Sequence, residues 1–170
     1  MQFKGLFFDL FGTLFIYSDM KAAWADWLDL QYELLVKQSG SSCCKDTFSK
    51  QCDGIFNQGD PPHVPDLTIY QRRIHHLCQQ LDLHPNPETF QRATIESIQS
   101  WQVYVPLDPN TIPVLKQLKT QYTLGLISNF DHAPHVHQLL RDHNLTQLFD
   151  TIVISGDNWH RTSRTSGACI

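Results

Sequence analysis

The sequence lacks an apolar stretch long enough to cross a bilayer, since a spanning helix needs about 20 consecutive apolar residues. The run over residues 6–17 resembles the apolar part of a secretory signal, but Asp9 and Gly12 interrupt it. We therefore expect neither a membrane partner nor secretion, and we predict a cytoplasmic protein.

Positive charge is also scarce. Lys and Arg total 13 against 17 Asp and Glu, which gives a net charge of -4 with His neutral, and no run of basic residues is present. Nucleic acids and anionic membranes bind basic surfaces. The sequence therefore predicts no nucleic acid or membrane partner, and a small-molecule substrate is the partner that we expect.

Cysteine pairs at metal-binding or disulfide spacing are missing. The number of cysteines is odd, their spacing is irregular, and two of them are adjacent rather than in a C-x-x-C motif. This pattern predicts neither a zinc site nor a disulfide framework, and reduced thiols fit a cytosolic protein. The five are Cys43, Cys44, Cys52, Cys78 and Cys169.

The composition that is present is typical of a single globular domain. Of the 170 residues, 41% are hydrophobic and 18% are charged, and ten Phe and four Trp can fill a sizeable core. Three short apolar runs, over residues 3–8, 122–127 and 149–154, predict buried strands. A predicted helix that begins near Pro134 joins the last two, which indicates a parallel β-α-β unit.

The residues between the first two runs are predicted to be mostly helical. Apolar residues at helical spacing predict a helix from Ser18 or Asp19 to near residue 40, and a short helix over residues 45–56. Two more helices are predicted to begin at caps Asp66 and Asn86, and another opens after residue 108.

Basic side chains in the helix after Asp66 are predicted to fall largely off its apolar face, and we expect the adjacent histidine pair on the solvated surface. The basic residues are Arg72, Arg73, His75 and His76. The two histidines are adjacent, so a helix cannot direct both rings at one metal ion, as it can for residues four apart.

Two strand ends carry the residues suited to chemistry. The first reads Asp9-Leu10-Phe11-Gly12-Thr13-Leu14, and the second reads Leu126-Ile127-Ser128-Asn129. Glycine permits a backbone bend, and the loop at a strand end is where reacting groups usually sit. The alternatives are that Asp9 caps a turn and that Ser128-Asn129 caps a helix.

These two motifs, separated by a helical insertion, resemble the haloacid dehalogenase (HAD) superfamily, in its subgroup with a helical cap after the first strand. The likeness covers residues 1–157. It implies an α/β fold, with a Rossmann-like parallel sheet formed by residues 1–17 and 104–157 and an inserted helical cap over 18–103. The site would lie at the carboxyl ends of the strands.

The resemblance also implies roles for the motif residues. Asp9 would be the nucleophile, attacking phosphorus or a halogen-bearing carbon to form a covalent aspartyl intermediate that water hydrolyses. Ser128 would donate its hydroxyl to an anionic substrate oxygen, with help from the Asn129 amide. Backbone N–H groups around Gly12 would bind the transferred group, and Thr13 would brace the loop.

One position departs from the family's phosphatases, which usually carry a second Asp two residues after the nucleophile. Here that residue is Phe11, which cannot transfer a proton. An aromatic residue there resembles the dehalogenase branch, in which halide leaves unprotonated and no metal is needed. On a phosphatase interpretation, the Asp9 carboxylate and the Phe11 backbone carbonyl would bind Mg²⁺.

The second departure is the end of the chain. The family's third-motif lysine and its acidic pair, which holds Mg²⁺, do not follow Asp157, and residues 158–170 read as an atypical polar tail. We therefore expect a core truncated after its third strand, with an exposed strand edge or cap surface open to self-association. The functional alternatives are a HAD-like hydrolase for 2-haloacids or phosphate esters, and a catalytically inactive remnant or interaction module.

Overall fold

The chain is described here from a computed structural model, over residues 4–157. The predicted tail at 158–170 lies outside these described residues. The strands are β1 Gly5–Asp9, β2 Thr123–Ser128 and β3 Thr151–Ile154. The α-helices are α1 Met20–Gln31, α2 Lys45–Cys52, α3 Ile69–Gln80, α4 Pro87–Gln102, α5 Thr111–Lys119 and α6 Ala133–Asp142, with a π-helix at Tyr32–Lys37 and a 3₁₀ turn at Thr146–Leu148.

The three strands form one parallel sheet in the order β1-β2-β3, which confirms the predicted α/β class. Asp9 is paired in register with Ile127, and Ser128 with Ile154. The last residues of the strands therefore meet at one edge of the sheet. Within the described residues, β1 pairs only with β2 and so borders the sheet.

The molecule has two hydrophobic cores. The first packs the sheet against α5 and α6 around fully buried leucines such as Leu124, Leu126 and Leu140. The second lies among the helices between β1 and α5, around Phe48 and Ile74, which are also fully buried. The predicted boundary of the cap at residues 18–103 stays a prediction, because two cores alone do not fix where one unit ends.

Two of the predicted helix caps are confirmed and one is wrong. The Asp19 side chain accepts a hydrogen bond from the Ala22 N–H at 2.9 Å, and Asn86 accepts from the Thr89 N–H at 2.8 Å. Asp66 instead has a φ of 63° and lies in a turn before α3. Thr68 is the cap, because its hydroxyl accepts from the Gln71 N–H at 3.3 Å while the Gln71 side chain accepts from the Thr68 N–H at 3.0 Å.

The first two predicted helices also differ in extent. The helix expected to reach residue 40 is α-helical only to Gln31 and continues as the π-helix, which buries three consecutive residues, 34–36. The helix expected over 45–56 ends at Cys52, shortly before Gly54 takes a φ of 72°. Among the described residues, no helix combines the length and apolarity needed to span a membrane.

Candidate active site

Asp9 is the last residue of β1, and its side chain is exposed. The loop that follows is tightly folded: the Gly12 N–H donates to the Phe15 carbonyl at 2.7 Å, and the Leu10 carbonyl accepts from the N–H groups of Leu14 and Phe15 at 2.9 Å. Leu10 and Phe15 are fully buried. This anchoring holds the Asp9 carboxylate at a fixed place on the edge of the sheet.

Gly12 is required by the shape of this loop. Its φ of 86° is a conformation that other residues rarely adopt, and a Cβ there would lie 3.1 Å from Cε2 of Tyr17. Burial raises the pKa of Tyr17, and the nearby Asp9 carboxylate raises it further. Tyr17 therefore lies close to the predicted nucleophile. Thr13 is exposed in the same loop, and its bracing role stays a prediction.

The end of β2 carries a buried hydroxyl. Ser128 is 1% exposed, and among the described residues its Oγ has no hydrogen-bond partner. Its backbone carbonyl accepts from the Ser155 N–H at 2.9 Å, and the Ser155 hydroxyl donates to Asn129 Oδ1 at 2.8 Å. Ser155 thus fixes the second motif, which leaves the Asn129 amide N–H groups and the Ser128 hydroxyl to bind other groups.

The sheet edge brings the ends of the two motifs together, but not on the same face. Side chains alternate along a strand, so Asp9 shares a face with the exposed Phe7, whereas Ser128 shares one with the buried Leu126. A substrate group that contacts both side chains must therefore sit over the edge of the sheet, beyond the last backbone atoms of β1 and β2.

Phe11 is at the centre of an aromatic cluster. Its ring centroid is 4.9 Å from that of Phe130 and 5.2 Å from that of Trp101, and these two rings stack on each other at 5.5 Å. Trp101 belongs to α4, while Phe130 follows the second motif. The aromatic cluster therefore joins both motif loops to the helical part.

A cavity of about 700 Å³ lies between the helical part and the sheet edge. Its described lining includes neither Asp9 nor Ser128, but it includes Tyr17 and Asn129, which adjoin them. The cavity therefore reaches both motif loops without enclosing the predicted nucleophile. The aromatic residues among those that line it are Tyr17, Trp24, Trp27, Phe56, Tyr70, Trp101 and Phe130.

Arg73 also lines this cavity, and the prediction that it falls off the apolar face of its helix is wrong. Its side chain is only 6% exposed, and its Nε donates to Asp131 Oδ2 at 2.7 Å. Its Nη2 lies 3.7 Å from Asp60 Oδ1. The Nη1 group donates to backbone carbonyls at 3.0–3.2 Å, those of Ile55, Gln58 and Gly59.

A signal for this burial exists in the sequence. Arg73 follows Tyr70 by three residues and precedes Leu77 by four, which places it on the apolar stripe of α3. Of the other basic residues in this helix, Arg72 is half-buried and donates to the Pro61 carbonyl at 2.8 Å. His76 is exposed as predicted.

Two histidines after the second motif were not singled out from the sequence. His132 Nδ1 is 2.9 Å from the Thr68 hydroxyl, and His135 Nε2 is 2.9 Å from Gln102 Oε1. Burial lowers the pKa of His132. Burial also lowers the pKa of His135 to about 4, with a smaller contribution from His132. Both imidazoles thus pair with polar groups of the helical part.

On a phosphatase interpretation, the described residues would supply only part of the coordination of a magnesium ion. Among residues 4–157 no group of three His, Cys, Asp or Glu side chains is placed to hold a metal ion. Asp9 and the Phe11 carbonyl would supply one carboxylate and one neutral oxygen, and Mg²⁺ commonly completes its six oxygen ligands with waters and substrate phosphate.

Comparisons with known proteins identify the fold of the chain, through solved structures. No protein-family model matches the chain, and no curated protein does. Solved structures do match. A 2-haloacid dehalogenase from Pseudomonas syringae is 18% identical, with a TM-score of 0.55 over 92% of this chain and 65% of that one. A HAD phosphatase from Thermococcus onnurineus is 21% identical, with a TM-score of 0.53 over 92% and 63%.

A third similar structure is the HAD hydrolase YfnB from Bacillus subtilis, which was solved bound to magnesium. It is 18% identical, with a TM-score of 0.53 over 92% of this chain and 67% of that one. The chain therefore has the fold of the HAD-superfamily hydrolases, as the two motifs indicated. It spans about two thirds of the length of these three structures, at 63–67%.

Proposed function

We propose that the chain is a HAD-like hydrolase that acts on small organic substrates through Asp9 as the nucleophile. The observation that carries this proposal is the position of Asp9. Its exposed carboxylate ends β1 in register with Ile127, at the same sheet edge as the Ser128 hydroxyl, which is buried and has no hydrogen-bond partner among the described residues. A carboxylate and a hydroxyl donor at one sheet edge suit attack on a substrate that carries an anionic group.

The proposed substrates are 2-haloacids. An Asp9 carboxylate oxygen attacks the halogen-bearing carbon, a C–O bond forms, and the halide leaves with the electron pair of the broken C–halogen bond. Water then adds to the carboxyl carbon of the resulting ester, which releases a 2-hydroxyacid, regenerates Asp9 and frees one proton. The Ser128 hydroxyl and the backbone N–H groups of Phe11 and Thr13 would hold the substrate carboxylate, since the other N–H groups of the Gly12 loop are already bonded within it.

Phe11 supports a haloacid over a phosphate ester. Halide departs without a proton, whereas an alkoxide leaving group needs a general acid. Phe11 carries no titratable group, and its ring packs against those of Phe130 and Trp101. Phosphate esters are the second candidate, because a hydroxyl and backbone N–H groups bind any anionic oxygen. The non-catalytic alternative predicts no turnover of either class.

A paired substrate panel tests this function. Halide release from 2-chloropropanoate and 2-bromopropanoate, and phosphate release from p-nitrophenyl phosphate, are measured with and without Mg²⁺. We expect metal-independent halide release that Asp9→Asn lowers by at least about 1,000-fold. Asp53→Asn, which removes an exposed carboxylate beyond the end of α2, is the matched control and should retain activity.

Strict dependence on Mg²⁺ with phosphate esters would replace the haloacid proposal by the phosphatase one. Turnover that survives Asp9→Asn would contradict the nucleophile, and no turnover with either class of substrate would favour the inactive remnant or interaction module.

A further inference from the structure

We infer that the 700 Å³ cavity, described above by its aromatic lining, binds a flat, uncharged aromatic group. In the reaction proposed above, this group would be the main body of the substrate, and this assignment rests on that proposed function. Asp9 and Ser128 themselves lie beyond the residues that line the cavity. The volume falls within the range of about 300–1,000 Å³ that small-molecule sites occupy.

The shape of the cavity wall supports a flat ligand. Trp24 and Trp27 stack with ring centroids 4.9 Å apart and planes only 11° from parallel. Phe56 stacks on Tyr70 at 5.6 Å and 17°, and its ring meets Trp27 edge-on at 5.5 Å. These rings present broad apolar faces and edges, and an aromatic ligand gains from offset-stacked and edge-to-face contacts with them.

The charges in the wall disfavour a second anionic group. The charged residues among those that line the cavity are Arg73, Asp60 and Asp131, one positive and two negative. The guanidinium of Arg73 is already engaged by the Asp131 carboxylate at 2.7 Å. Because the described lining leaves no positive charge over, an additional phosphate or carboxylate there would lose its hydration without gaining a counter-ion from these residues.

Polar anchors for the ligand are few. Asn57 and Asn129 contribute amide groups to the wall, and Asn129 adjoins Ser128 at the sheet edge. The Tyr70 hydroxyl is already used, since it accepts from Trp27 Nε1 at 2.7 Å and shares a hydrogen bond with the Ser97 hydroxyl at 2.6 Å. A neutral aromatic body with at most one or two polar atoms fits these partners best.

Binding of 1-naphthalenemethanol, a flat uncharged probe, tests the inference by isothermal titration calorimetry on the full chain. Inorganic phosphate serves as the charged comparison. We expect saturable binding of the naphthyl probe that Phe56→Leu and Trp24→Leu each weaken about five-fold, the range of one aromatic contact. Phe56 is 40% exposed, so its replacement should leave the fold intact.

The matched control is Phe90→Leu, because Phe90 is a partly buried aromatic residue of α4 that is not among the residues that line the cavity. It should change the affinity by less than two-fold. Asp9→Asn should also leave probe binding unchanged, because Asp9 is not among the residues that line the cavity. A chain that binds the probe but turns over no substrate would therefore contradict the proposed hydrolase and not the aromatic site.

Three results would overturn the inference. They are no saturable binding of the naphthyl probe, equal weakening by Phe90→Leu and Phe56→Leu, and phosphate binding as tight as the probe with the same dependence on Phe56 and Trp24.

Discussion

The Asp9 loop depends on a single residue that can take a positive φ. Gly12 turns the backbone so that its N–H reaches the Phe15 carbonyl, and Tyr17 packs against the place where a Cβ would project. Any side chain at position 12 therefore meets two separate costs, the strained backbone and the close contact with the Tyr17 ring.

Gly12→Ala should lower the free energy of unfolding by about 1–3 kcal/mol, measured by urea denaturation. Gly40→Ala is the control, since Gly40 also has a positive φ of 71° but nothing lies within 4 Å of its would-be Cβ. It should lose about 1 kcal/mol from the backbone alone. Equal losses in the two variants would show that the contact with Tyr17 does not matter.

His135 makes stability depend on pH in a defined direction. Its pKa is lowered by burial to about 4 in the folded chain, against an ordinary value near 6.5 in the unfolded one. Between these values the unfolded chain binds a proton that the folded chain does not, so stability falls as the pH falls from about 6.5 to 4. The loss from this group is on the order of 2–3 kcal/mol.

His135→Gln should remove that part of the pH dependence while retaining a polar side chain opposite Gln102. The measurement is the free energy of unfolding of both proteins from pH 7.5 to 4.5. We expect the free energy of unfolding of the variant to rise relative to that of the unchanged chain as the pH falls. Parallel curves over this range would contradict the assigned burial of the imidazole.

Among the elements, α3 is one that joins the helical part to the second motif loop. Arg73 extends from its buried side to bind Asp131 of the second motif loop and the backbone carbonyls of the 55–59 segment. The cap residue Thr68 contacts His132 in the same motif loop, and the Tyr70 N–H donates to the Asp131 carbonyl at 3.0 Å. One helix thus positions the loop that carries Asn129.

Arg73→Met should destabilise the fold by about 3 kcal/mol, because it leaves the Asp131 carboxylate and several carbonyls without their donor. Arg92→Met is the matched control, since Arg92 forms a mostly exposed ion pair with Glu96 on α4 at 2.8 Å. It should cost no more than about 0.5 kcal/mol. Thermal or urea unfolding measures both, and similar losses would contradict a structural role for the buried guanidinium.

The elements that sequence alone predicted well are those with local signals. Asn86-Pro87 began α4 because the cap and the proline act within one helical turn, and the apolar runs gave all three strands of the described sheet. The prediction that the first strand is buried is wrong, because the residues of β1 are exposed or half-buried. The prediction that Asp66 caps α3 was wrong because Thr68 forms a capping box with Gln71, three residues later.

The candidate site was predictable only in part, for the same reason. Asp9 and Ser128 stand out because each ends an apolar run, and parallel strands bring such ends together. Arg73 did not stand out because its carboxylate partner Asp131 is 58 residues away in the chain. The aromatic cavity likewise depends on side chains brought together from separate helices, which no local pattern reveals.

At the scale of the molecule, the proposed chemistry and the proposed ligand recognition belong to different parts. The sheet edge carries the predicted nucleophile and the buried hydroxyl, while the helical part supplies most of the aromatic wall. The two cores meet at the Phe11, Trp101 and Phe130 rings and at the ion pair of Arg73 with Asp131. A substrate that spans both parts would place its reacting carbon over the edge of the sheet.

Isotope transfer to Asp9 tests the central claim most directly. The chain turns over 2-bromopropanoate in H₂¹⁸O, and the peptide that contains Asp9 is then analysed by mass spectrometry, with the peptide that contains Asp53 as an internal control. If Asp9 forms the ester and water adds to its carboxyl carbon, ¹⁸O accumulates in the Asp9 carboxylate and the first hydroxyacid released carries the original Asp9 oxygen. A product that carries ¹⁸O from the first turnover, with no label on Asp9, would mean that water attacks the substrate directly and would contradict the nucleophile.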